Sequence, residues 1–143
     1  MYKKVKKMKT NEAAYLAGIV DGEGTITLTM KQKNAKRHLV VSIASNERSV
    51  LEYVVDIIGA GKITNKTTYK QQHKPSFAYQ ISNRQALEVL RQIYKELRTY
   101  KKKRAELVLK NYVMLTPRNG KYTKEVEKRR SKFENKFFTI LPN

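Results

Sequence analysis

The sequence predicts an α+β domain: a mixed antiparallel four-stranded sheet with helices on one face. Three observations carry that prediction. Residues 25–31 and 37–44 alternate polar and apolar side chains with a period of two, as half-buried strands do. Ala86, Leu87, Leu90, Ile93, Tyr94 and Leu97 recur with the period of an amphipathic helix. The elements follow one another as α-ββ-α-ββ-α with C-terminal helices behind, an order that stacks helices on one face of an antiparallel sheet.

Thr10 is the expected cap of a first helix reaching about Val20, with Glu12 in its favourable first turn. A polar turn, residues 32–36, joins the first two strands into a hairpin. Ser45 or Asn46 caps a second helix carrying Val50, Leu51, Val54, Val55 and Ile58 and ended by Gly59. Residues 62–66 and 76–81 make the second hairpin, around a basic loop with Lys70, His73 and Lys74. Asn83 caps the third helix. The basic residues 101–104 open a fourth through about Leu115, and Pro117 and Gly120 break it. Residues 122–138 form a charged amphipathic helix. One domain, residues 1–143, is expected, with a core over about 10–115, a basic leader 1–9 and a helical tail 121–143.

Strand alternation separates two faces. Ile26, Leu28, Leu39, Val41, Ile43, Ile63, Phe77, Tyr79 and Ile81 fall inside. Thr25, Thr27, Thr29, Lys31, His38, Ser42, Lys62, Thr64, Lys66, Ser76 and Gln80 fall outside, without a carboxylate among them. Any half-exposed sheet turns polar residues outward. The missing acid is what favours a polyanion, and a two-stranded ribbon of short hydrogen-bonding side chains fits the major groove of DNA.

The charge agrees. Lys and Arg number 31 against 12 Asp and Glu, for a formal net charge of +19. Such a surplus costs self-repulsion and points to a polyanionic partner. There is no cysteine, which removes disulfides, thiolate catalysis and Cys-based zinc sites. The two histidines, His38 and His73, have no metal-pair spacing. No apolar run approaches the ~18 residues that span a bilayer, and the lysine-rich start has no apolar stretch behind it. A location in the cytoplasm, or in an organelle or nucleus, is expected; secretion and a membrane partner are not.

Asp21-Gly22-Glu23-Gly24 is the segment with chemistry in it. Two carboxylates alternate with glycines where an apolar helix gives way to a strand, in a chain short of acids. Carboxylates there can hold Mg²⁺ for phosphodiester hydrolysis, with a glycine carbonyl as a second oxygen ligand. By spacing alone, a plain helix end with a glycine stop reads equally well.

Residues 16–24, Leu-Ala-Gly-Ile-Val-Asp-Gly-Glu-Gly, resemble the nine-residue LAGLIDADG signature at every position, allowing its usual conservative exchanges. The resemblance extends in element order over roughly residues 10–115. It implies a homing endonuclease: a saddle-shaped sheet in the major groove and metal-dependent cleavage of both strands. Mg²⁺ is the implied metal, with Mn²⁺ able to substitute. Only one signature occurs, so the second active site comes from a second copy, and a homodimer on a long pseudo-palindromic double-stranded DNA site is expected.

Carried over by position, Glu23 is the catalytic metal ligand and the Gly22 carbonyl the second ligand. Lys101 matches the family's active-site lysine. Where the family often has glutamine after the second strand, this chain has Ser45-Asn46-Glu47-Arg48. Asn46 or Ser45 is the candidate substitute for placing water, and Arg48 a candidate phosphate contact. Ala14, Ala17 and Gly18 are the expected dimer contacts, since small side chains let two helices approach closely; alanines also simply favour helix. Asp21 is expected to brace the helix end or that interface rather than touch metal. Two alternatives stand beside cleavage: an RNA-binding intron maturase, with intron RNA as partner, and a DNA-binding relative that does not cut. RNA modules usually place aromatics on the exposed sheet face, and here Tyr79 and Phe77 fall inside.

Overall fold

The computed structural model describes residues 3–33, 35–66, 76–118 and 120–143. Along the chain lie α1 (Thr10–Glu23), β1 (Gly24–Thr29), β2 (His38–Ser45), α2 (Arg48–Ile58), β3 (Lys62–Lys66), β4 (Ser76–Ser82), α3 (Asn83–Ile93), a 3₁₀ turn (Tyr94–Glu96), α4 (Lys101–Leu115) and α5 (Lys124–Thr139). The expected element order holds. The sheet runs β1-β2-β4-β3 and every pairing is antiparallel, so it is not mixed. β3 is parallel to β2, but β4 lies between them and no parallel pair forms.

The two faces fall as the alternation requires. Ile26, Val41 and Ile81 share one row, and Ile43, Tyr79 and Ile63 the next. Most of these side chains are buried against the helices, and Val41 and Ile43 are 1% exposed. Thr25, Ser42, Gln80 and Lys62 form a row on the opposite face. β1 ends at Thr29, so Lys31 lies in the exposed hairpin loop rather than on the sheet. Lys70, His73 and Lys74, and the side chain of Lys66, lie outside the described residues.

The helix ends differ from expectation in instructive ways. α1 is preceded by Lys9, not capped by Thr10; the Glu12 carboxylate accepts the Lys9 N–H at 2.8 Å. It also runs past Val20 to Glu23. α2 starts only at Arg48, because the Ser45 hydroxyl accepts the Glu47 N–H at 3.0 Å and spends itself on a turn. Gly59 ends α2 at φ 77°, where a side chain would be strained. Ser82, not Asn83, precedes α3, and Asn83 is its first residue at φ 55°.

The two chain ends are part of the fold. The Lys6 N–H donates to the Ile58 carbonyl and the Met8 N–H to Gln92 Oε1, both at 2.8 Å, with Met8 buried. The leader therefore straps α2 to α3. At the other end, α5 buries Phe133, Phe137 and Arg130. Arg130 donates to the carbonyls of Leu115 and Arg37, and Glu134 pairs with both Arg37 and Arg130. Phe137 has no exposed surface, and the Arg104 guanidinium lies 4.6 Å from its ring centroid. Phe137→Ala is expected to cost about 3–5 kcal/mol in denaturant unfolding, as for other buried aromatics; a native midpoint would mean that α5 is dispensable. Among the described residues no helix is long and apolar enough to cross a membrane.

Candidate active site

The last turn of α1 carries Asp21, Gly22 and Glu23, and Gly24 opens β1. A Cβ on Gly24 would sit 2.8 Å from Val20 Cα and 3.3 Å from the Ser42 carbonyl oxygen, so contact with backbone excludes any side chain there. A helix end leaves its final carbonyls without partners inside the helix. Here the Lys101 ammonium donates to the carbonyls of Val20 and Asp21, each at 2.8 Å, with Lys101 only 7% exposed. A cation at the negative end of α1 also complements the helix dipole. Burial lowers the Lys101 pKa, while the charges of Asp21 and Glu23 oppose that shift.

Asp21 faces its own chain. Its carboxylate accepts the Arg98 N–H at 2.7 Å, the Thr99 N–H at 3.2 Å and the Thr99 hydroxyl at 2.6 Å. Partial burial acts to raise its carboxyl, but the bonds from Thr99 and Arg98, with Lys101 nearby, outweigh that and hold it below 3.8. Asp21 and Lys101 thus tie the end of α1 to the start of α4. Of the two roles expected of Asp21, bracing the helix end and serving the contact between copies, these bonds supply the first.

The exposed Glu23 carboxylate makes no hydrogen bond or ion pair among the described residues, and the Gly22 carbonyl lies one residue before it in the last turn of α1. Both are hard oxygen donors at the negative end of a helix, which fits Mg²⁺. Among the described residues no three His, Cys, Asp or Glu side chains cluster as a metal cage. Mg²⁺ takes one or two carboxylates and fills its remaining positions with water and substrate phosphate.

Glu23 lines an open groove of about 490 Å³ together with Ser45, Asn46, Glu47, Ser76 and Val50. The groove brings Asn46 and Ser45, the candidates for placing water, to the same opening as Glu23. Ser76, expected on the DNA face, lines it as well. Sequence reasoning missed Glu47 here, although an acid two residues beyond a strand end in an acid-poor chain was a legible signal. It also missed Arg104. That residue is buried beside Lys101 and donates to the Ile26 carbonyl at 2.9 Å and the Ile140 carbonyl at 3.0 Å. Its spacing of three from Lys101 on one helix was the available clue.

Arg48 is partnered rather than free: its guanidinium pairs with Glu52 at 3.0 Å and lies 5.5 Å from the Phe77 ring centroid. On the outer face, Thr25, Lys62, Thr64 and Gln80 are exposed, and Thr27, Thr29, His38, Ser42 and Ser76 half-buried. Burial and the Lys31 charge lower the His38 pKa. The imidazole is therefore neutral near pH 7 and offers the face a hydrogen-bonding group rather than a charge.

The small residues of α1 divide. Ala17 has no exposed surface and packs into its own core, which corrects its assignment to a contact between copies. Ala14, Gly18 and Gly22 lie four residues apart on the exposed side. A Cβ at Gly18 or Gly22 would meet nothing within 4 Å.

Comparison with known proteins places this arrangement. The homing endonuclease I-CvuI, solved in complex with its target, is 16% identical with a TM-score of 0.73, covering 92% of this chain and 83% of its own. An archaeal intron-encoded homing endonuclease complexed with DNA is 19% identical at a TM-score of 0.68, over 92% and 84% of the two chains. The I-LtrWI LAGLIDADG homing endonuclease bound to target DNA is 16% identical at 0.63, where 95% of this chain covers 46% of that one. At these identities the likeness is one of fold. The model of the LAGLIDADG endonuclease family matches residues 16–114, from the motif helix through both hairpins to the end of α4. Signature, fold and matched segment coincide, and the chain belongs to the LAGLIDADG endonuclease family.

Proposed function

We propose that two copies of this chain act as a site-specific endonuclease, cutting both strands of a long pseudo-palindromic DNA duplex with a divalent metal. One observation carries the reading. The Asp21 carboxylate and the Lys101 ammonium are committed within the chain, whereas the Glu23 carboxylate is bonded to nothing among the described residues and lines an open groove. The Glu23 carboxylate and the neighbouring Gly22 carbonyl would hold the metal, Mg²⁺ or, with the same oxygen donors, Mn²⁺. Once bound, the metal supplies positive charge to the phosphate and makes water a better nucleophile.

The chain's own residues do the rest. Glu23 orients its carboxylate from a helix end that Lys101 and Asp21 keep rigid. Lys101 has three ammonium protons and commits two to carbonyls, leaving one for a phosphate oxygen or water. Ser45 and Asn46 offer a hydroxyl and an amide at the groove for placing water. Thr25, Thr27, Thr29, His38, Ser42, Thr64 and Gln80 present the reading surface for base edges, with Lys62 toward phosphate. No Phe, Tyr or Trp ring stands on the described part of that outer face, which favours duplex DNA over the stacked single-stranded bases of RNA.

Screening the protein with Mg²⁺ against a randomised duplex library and sequencing the ends tests this directly. Paired cuts between two related half-sites are expected, and none in chelator. Uncut duplex with tight single-stranded RNA binding would overturn the reading.

With one signature per chain, the second active centre comes from a second copy, joined through the Ala14–Gly18–Gly22 side of α1. Tyr15 and Tyr53 flank that stripe, 54% and 38% exposed and edge-to-face at 5.5 Å. Gly18→Leu is expected to weaken dimerisation by about 1–3 kcal/mol in light scattering, with the folded monomer intact. Ala17→Leu overpacks the core instead and should lower thermal stability. A native-strength Gly18→Leu dimer would place the interface elsewhere.

A further inference from the structure

We propose that a cleft at the start of α3, lined by Ser82, Asn83, Arg84, Gln85 and Arg118, is a phosphate site gripping duplex backbone beyond the catalytic groove. The proposal rests on the duplex-binding reading above and adds a site to it.

The cleft measures about 570 Å³, and no carboxylate lines it. Two guanidinium groups enter it. Arg118 is exposed and makes no hydrogen bond or ion pair among the described residues. Most other arginines of this surface are neutralised: Arg48 pairs with Glu52, Arg91 with Glu88, and Arg129 with Glu125. Arg84 donates through Nη2 to the Thr116 carbonyl at 3.0 Å, which fixes the guanidinium and leaves its other donors available. A planar fork of donors on a fixed stem is the geometry that suits a phosphate.

The backbone around the cleft is set in the same sense. The first turn of α3 contains no acid, and Ser82 makes no side-chain cap bond, so nothing neutralises the positive helix end. Asn83 holds its left-handed conformation because its Oδ1 accepts the Tyr112 hydroxyl at 2.9 Å, while the hydroxyl accepts the Leu39 N–H at 3.1 Å. The two arginines and the enclosing cleft carry the proposal, and the helix end strengthens it.

Position selects the ligand. Ser82 pairs with Val40, which pairs with Thr27, so the cleft opens at the edge of the outer sheet face. Ala44, which lines the catalytic groove, lies four positions further along β2 on the same face, roughly 13 Å at strand rise. A duplex lying along that face meets the groove and the cleft together. The cleft has no aromatic ring for a base to stack on, so a backbone phosphate is its occupant rather than a nucleobase.

The test uses the full chain in chelator, where nothing is cut, and reads duplex binding by fluorescence anisotropy across a salt series. Arg118→Ala is expected to weaken cognate and random duplexes alike, about tenfold, and to reduce the salt slope by about one. Arg118→Lys should restore most of that slope. A methylphosphonate scan of the duplex should find one flanking position where the native protein loses affinity and Arg118→Ala loses nothing further. The cut position with Mg²⁺ should be unchanged. If Arg118→Ala keeps native affinity and slope while the native protein binds and cuts, the cleft proposal fails and the proposed function stands. Arg118-dependent binding of inorganic phosphate, with duplex affinity untouched, would assign the cleft to a free anion and overturn its role on DNA. A native chain that binds no duplex overturns both.

Discussion

Glu23→Gln should abolish detectable cleavage while leaving the fold and duplex binding in place. The exposed carboxylate is bonded to nothing among the described residues, so its loss breaks no contact there. A divalent ion contributes several kcal/mol of charge stabilisation to phosphoryl transfer, equivalent to about 10³-fold or more in rate. The amide also removes a negative charge that repels phosphate, so duplex affinity in chelator should be equal or higher. Single-turnover cleavage, with thermal unfolding as the control for folding, separates these effects. Native cleavage by Glu23→Gln would remove Glu23 from the metal site.

Lys101→Met should lose both stability and activity, because one ammonium serves two purposes. It satisfies the carbonyls of Val20 and Asp21, and charged hydrogen bonds of this kind are worth about 1.5–3 kcal/mol when one partner is deleted. The charge of Glu23 also acts on the Lys101 ammonium, so the two groups share the site. Removing a positioned donor from a site of developing negative charge typically costs about 10²–10³ in rate. The unfolding midpoint and the single-turnover rate should therefore both fall. If stability drops but the rate per folded molecule does not, Lys101 is a clip for the helix end and nothing more.

The two outcomes depend on different kinds of legibility. Glu23 was visible in the chain itself: carboxylates between glycines at a helix-to-strand junction are rare in a protein with 12 acids. Lys101 was singled out by the resemblance alone; by composition it is one of four consecutive cations, readable as a solvated helix start. Helical geometry turns Lys101 and Arg104 inward, three residues apart, while Lys103 stays in solvent. No composition or period distinguishes those positions before α4 packs on α1 and β1.

Local periodicity by itself determined the element order, both sheet faces and the core rows through Ile26, Val41 and Ile81, because alternation of two and recurrence near 3.6 are backbone properties. The sequence also determined the motif and the charge. Three matters were decided only by tertiary packing. Ala14 and Ala17 are alike in sequence, yet one is exposed and the other buried, since only the docked sheet sets which side of α1 faces inward. Asp21 and Glu23 are both acids of one helix turn, yet Thr99 and Arg98 engage the first and leave the second open. The leader and the tail read as appendages, but partners distant in sequence hold them: Ile58 and Gln92 for one, Arg37 and Arg104 for the other. Hydrogen-bond partners so far apart along the chain meet only after it folds, and no periodic signal records them.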